Sequence, residues 1–123
     1  MFTIDAKILP ALGSDYPKIV TPLIQGASQT IDVIIYEWKW YGYESAGGME
    51  KFNLAFQAAD RRGVKVRVYL NIESMGHAIT KINGKTASML NLVGIETKFG
   101  QVGIATHAKM IIIDGRVLIL GSH

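Results

Sequence analysis

The residues of this chain best suited to chemistry lie in its closing run, His107-Ala-Lys-Met-Ile-Ile-Ile-Asp-Gly-Arg-Val-Leu-Ile-Leu-Gly-Ser-His123. On an extended strand, side chains two residues apart point the same way, so His107 and Lys109 share one side. A neutral imidazole can attack phosphorus while a neighbouring ammonium holds a phosphate oxygen. Two such groups at the mouth of an apolar strand are costly unless they face a cleft. A His-x-Lys pair alone equally describes the wet start of an edge strand, so the rest of the chain must decide.

The elements that would position this pair alternate between strand and helix patterns, which predicts an α/β fold. Residues 2–9 suit a short edge strand. Ile19, Val20, Leu23, Ile24 and Ala27 recur at helical spacing. Pro22 implies either a kinked helix or one that starts with Thr21 as N-cap. Residues 31–38 read as a central buried strand, with Ile31, Val33 and Ile35 on one face and Ile34, Tyr36 and Trp38 on the other. Residues 39–48 form an aromatic, glycine-rich loop. Residues 49–62 predict a helix with Phe52, Ala55, Phe56 and Ala59 inward, closed by Gly63. Strand 64–70 alternates Val64, Val66, Val68 and Leu70 inward. A polar loop at 71–85, a short helix at 86–93 and a strand at 95–99 follow. After a small-residue loop at 100–106 come strands 107–113 and 116–120, joined by Asp114-Gly115, a type I′ hairpin signal. The two helix–Gly–strand units suit βαβ crossovers.

Composition narrows the classes. The 123 residues suit one domain, 1–123, and 49% hydrophobic content suits a packed core. The absence of cysteine excludes disulfides and thiolate zinc sites, and His77, His107 and His123 lack metal-ligand spacing. A net charge of +3 suits an anionic partner or an ordinary soluble surface. No run reaches the roughly 20 apolar residues of a membrane span. The N-terminus lacks a secretory pattern, so the expected location is the cytoplasm.

The full string, His-x-Lys-x4-Asp-x6-Gly-Ser, resembles the signature of the phospholipase D superfamily. Gln29-Thr-Ile-Asp-Val-Ile-Ile-Tyr-Glu-Trp is similar to that family's first core strand, Ala58-Ala-Asp-Arg-Arg-Gly-Val-Lys-Val-Arg-Val-Tyr-Leu to its helix-to-strand segment, and Leu92-Val-Gly-Ile-Glu-Thr-Lys to the strand before the motif. The resemblance spans about residues 16–122. It implies a mixed sheet flanked by helices and a metal-independent phosphodiesterase acting through a phosphohistidine, with no cofactor. His107 would be nucleophile or leaving-group acid, and Lys109 would bind phosphate oxygens. Asp114, Gly121 and Ser122 would support the site. The family motif continues with an asparagine, so the resemblance implies a chain cut short inside the motif and inactive alone. This half-site would be completed by a homodimer partner or a missing C-terminal half. Nucleic acid leads as the substrate. The alternatives are a phospholipase or cardiolipin-synthase type of enzyme, or a non-catalytic binding member.

Further positions have two readings each. Glu37, Trp38 and Asn71 are possible cleft residues, though Glu37 equally suits a buried, paired carboxylate. Trp38, Trp40, Tyr41 and Tyr43 suit base stacking, a lipid interface, or a self-packed loop. His77 reads as a solvated loop residue, and Arg61, Arg62, Lys65 and Arg67 as cations on a wet face at a helix end. His123 falls at a variable motif position.

Overall fold

The structure, a computed structural model, describes residues 3–40 and 49–121; the side chain of Met49 is outside that description. Within those residues the elements are α1 (Asp15–Gln25), β1 (Thr30–Ile35), α2 (Met49–Arg61), β2 (Lys65–Leu70), α3 (Ala78–Leu92), β3 (Glu96–Phe99), β4 (Lys109–Ile113) and β5 (Val117–Leu120). The strands form a mixed sheet in the order β3-β2-β1-β4-β5. β1, β2 and β3 are parallel, as βαβ crossovers require, while β4 runs antiparallel to β1 and to β5.

Register explains the core. Ile31 lies opposite Val66 and Ile113, and Val33 opposite Val68 and Ile111. This places the buried branched residues of three strands on one sheet face. The inward stripes of all three helices meet that face, through Val20 and Ile24 of α1, Phe52 and Phe56 of α2, and Leu90 of α3. Burying a side chain such as Phe56 or Leu90, both 0% exposed, stabilises the fold by about 1.5–3 kcal/mol each. The opposite face carries Arg67, Tyr69 and Lys98 beside Ile34 and Ile112.

Three expectations need correction, and one alternative is settled. The edge strand expected at 2–9 does not form: residues 3–9 have no regular structure. α1 begins at Asp15 and runs through Pro22, so Thr21 is not its cap. β1 ends at Ile35, and Trp38 is not on the face of Ile34. Instead it turns into the helix-side core, 5.0 Å from Phe56 and 6.0 Å from Phe52 between ring centroids. Lastly, α3 starts at Ala78, inside the supposed polar loop. His77 is its N-cap, with Nδ1 accepting the Ile79 N–H at 3.1 Å. Asn83 and Thr86, both fully buried, occupy the inner face of α3, which hid its helical period from a hydrophobicity pattern.

The hairpin turn has the expected chemistry. Asp114 (φ 53°) and Gly115 (φ 62°) both occupy the left-handed region. The Arg116 N–H donates to Ile113 O at 2.9 Å. The ladder then resumes with Ile113 opposite Val117, so β5 starts one residue late.

Candidate active site

Antiparallel β4 brings its N-terminal end to the C-terminal ends of β1 and β2. Lys109 faces Ile35, and the Tyr36 N–H donates to Ala108 O at 2.8 Å, extending the ladder one step. His107 lies just before β4 rather than inside it, and is exposed. Ligands of open α/β sheets gather at the carboxyl ends of parallel strands, which is this edge.

Both motif side chains converge on one aromatic ring. The His107 imidazole lies against Tyr36 with centroids 4.3 Å apart and planes tilted by 38°. The Lys109 Nζ stands 5.7 Å from the centre of the same ring. A cation at that range gains about 0.5–1 kcal/mol from the ring quadrupole. An imidazole and an ammonium held on one ring at the sheet edge offer a nucleophile or proton carrier beside an anion clamp.

The hairpin supports the pair from below. The Gly121 N–H donates to Lys109 O at 2.8 Å. A Cβ built on Gly121 would lie 3.3 Å from the Lys109 Cβ, tighter than most real contacts, so glycine gives Lys109 its room. Asp114 works at the other end of the strand. Its carboxylate accepts the N–H groups of Ser28 (3.0 Å), Gln29 (2.7 Å) and Thr30 (3.0 Å), the residues that open β1. Bonds from Ser28, Thr30 and Gln29, in that order of effect, hold its pKa down to about 2. Asp114 thus locks β4 to β1 far from His107. Ser122 and His123 lie outside the described residues, as do Tyr41 and Tyr43.

Of the possible cleft residues, only Glu37 is exposed; Trp38 (3%) and Asn71 (0%) are buried. They belong to a polar spine behind the site. Asn83 Oδ1 accepts the Trp38 N–H at 2.9 Å, while its Nδ2 donates to Tyr36 O and Asn71 O, each at 2.8 Å. The Thr86 hydroxyl donates to Trp38 O, and the Trp38 indole to Asn53 Oδ1 at 3.1 Å. Trp38 and Trp40, with centroids 6.2 Å apart, pack on the core. Arg62 caps the end of α1 by donating to Ile24 O and Ala27 O, and Arg67 pairs with Asp32. The parts the sequence reading missed are the Tyr36 platform and the Asn83–Thr86 anchor. The available signal was two small polar residues three apart in a stretch where Ile79, Ile82 and Leu90 keep helical spacing.

Among the described residues, no three His, Asp or Glu side chains stand close enough to hold a metal ion, and no helix is long and apolar enough to cross a membrane.

A family model described as a cardiolipin synthase, phospholipase D-like domain matches residues 20–123. Among solved structures, Nuc from Salmonella typhimurium, described as a phospholipase D family member, superposes with a TM-score of 0.55 at 22% identity, over 80% of this chain and 57% of that one. NucT from Helicobacter pylori gives 0.58 at 19% identity, over 85% and 64%. A polyphosphate kinase from Porphyromonas gingivalis gives 0.56 at 19%, over 85% and 16%. The chain thus spans less than two thirds of the length of each of these structures. No curated protein matches the sequence significantly.

Proposed function

This chain belongs to the phospholipase D-like family, and from that premise we propose that it carries half of a metal-independent phosphodiesterase site that works through a phosphohistidine. The observation that carries the reading is the convergence of His107 and Lys109 on Tyr36 at the carboxyl edge of the sheet. An imidazole nitrogen of His107 attacks phosphorus, and the bond from phosphorus to the leaving oxygen breaks. Lys109 holds non-bridging oxygens as charge builds on the five-coordinate transition state. The leaving oxygen takes its proton from a second imidazole, supplied by another copy of the motif in a partner subunit or elsewhere in a longer chain. Water, deprotonated by that second imidazole, then splits the phosphohistidine. Lysine supplies the positive charge that a divalent cation supplies in other phosphodiesterases.

Nucleic acid is the favoured substrate, because a net charge of +3 suits a polyanionic partner. The cardiolipin-synthase description of the matching family model favours phospholipid as the second reading. Full-length protein assayed in EDTA against single- and double-stranded DNA and against phosphatidylglycerol vesicles separates the two. DNA cleavage supports the first reading and transfer or hydrolysis at the lipid headgroup the second. Loss of all activity on chelation refutes the metal-free step, and binding without turnover identifies a non-catalytic member.

A further inference from the structure

A nucleophilic imidazole is useful only if the backbone that carries it is fixed, yet His107 is exposed and follows the loop 100–106. One side chain ties that approach down. Asn71, immediately after β2 and 0% exposed, accepts the Thr106 N–H on Oδ1 at 2.8 Å, one residue before His107. All its other hydrogen-bonding groups are engaged as well. Nδ2 donates to Glu73 Oε1 at 3.0 Å, the backbone N–H donates to Ile35 O at 3.2 Å, and the backbone carbonyl accepts from Asn83. Glu73, an acceptor, fixes which end of the amide faces Thr106, and Asn83 also grips Tyr36 O. The carbonyls of Asn71 and Tyr36 are therefore held by one buried amide.

We propose that Asn71 is the positioning residue of His107: its amide sets the Thr106 backbone so that the imidazole comes to rest on the Tyr36 ring beside Lys109. The catalytic part of this proposal rests on the phosphodiesterase reading, whereas the placement of the ring does not. Asn71 touches no reacting atom and acts only through the segment it holds. Displacing a reacting group by about 1 Å costs on the order of 100-fold in rate. Asn71→Ala should therefore lower kcat about 100-fold with little change in KM.

The test is made on the full-length protein with two readouts, phosphodiesterase kinetics and the NMR signals of the His107 ring, assigned by the signals lost in His107→Gln. In the wild type the Tyr36 ring current moves those signals upfield. Asn71→Ala should abolish that displacement while the remaining spectrum stays dispersed. Asn71→Asp combined with Glu73→Gln reverses the polarity of the 71–73 pair and keeps an acceptor for Thr106, so it should restore both the ring signal and kcat. If Asn71→Ala does not fold, this double variant still decides: a folded protein whose His107 signals have lost the Tyr36 displacement overturns the proposal. Unchanged His107 signals in a folded Asn71→Ala also overturn it. Should His107→Ala retain full activity while Asn71→Ala still displaces the ring, the phosphodiesterase reading fails and the positioning role stands.

Discussion

Replacing Asn83 with leucine should be among the most damaging single changes in the chain that touch no core hydrocarbon. Asn83 is 0% exposed, and leucine keeps its branched outline with bulkier methyl groups, so the change removes hydrogen bonds and opens no cavity. Three partners lose their bond: the Trp38 N–H, Tyr36 O and Asn71 O. A buried polar group left without a partner costs about 1–3 kcal/mol. The Tyr36 carbonyl is only part-buried, so water relieves some of its loss. The sum is roughly 3–5 kcal/mol, a large fraction of the ~5–15 kcal/mol that holds a typical domain. Thr86→Val is the graded control. It removes one bond, to Trp38 O, and should cost about 1–2 kcal/mol. Lys85→Ala, on the exposed side of the same helix, should stay within about 0.5 kcal/mol. Urea unfolding followed by circular dichroism and tryptophan fluorescence gives all three values at a common m. A cost below about 1 kcal/mol for Asn83→Leu, with unchanged m, would refute the spine as the anchor of the segment after β1.

Three more outcomes follow from the hairpin and the clamp. Asp114 has its pKa lowered from 3.8 to about 2 by the folded state, so its contribution is complete above 3.8 and fades as pH falls through that window. Stability measured from neutral pH down to about pH 2 should therefore show Asp114→Asn weakest relative to wild type at neutrality, with the gap narrowing in acid; a gap that widens in acid contradicts the assignment. Gly121→Val should cost about 1–3 kcal/mol in thermal unfolding by crowding the Lys109 stem, with Gly121→Ala milder; equal effects of the two would argue against a steric cause. Lys109→Ala should lower kcat about 10²–10³-fold under single-turnover conditions, and a change confined to KM would make Lys109 a binding group only.

The motif string and the parallel core were legible because each follows a local rule. Val64, Val66, Val68 and Leu70 alternate, Phe52, Ala55, Phe56 and Ala59 recur at helical spacing, and Asp114-Gly115 fits a turn with two left-handed residues. The part that escaped is the part that holds the site. α3 packs Asn83 and Thr86 inward because they bond the backbone after β1, so its first turns look polar in sequence. Trp38 looked like a cleft residue because a strand continued past Ile35 would present it there, whereas the chain turns into the core. Asn71 reads in sequence as a possible cleft residue, but its bond is to Thr106, 35 positions away, which no local pattern contains. Departures from local rules are expected where backbone placement serves a site.

In the proposed reaction His107 becomes covalently bound to phosphorus. Labelling of the full-length protein with a 32P-phosphodiester substrate in EDTA, quenched in alkaline detergent to preserve the acid-labile P–N bond and followed by peptide mapping, tests it most directly. Label is expected on His107 and should be absent in a folded His107→Ala protein that has also lost turnover. Turnover that persists in His107→Ala, or label that maps only to other residues, would contradict it.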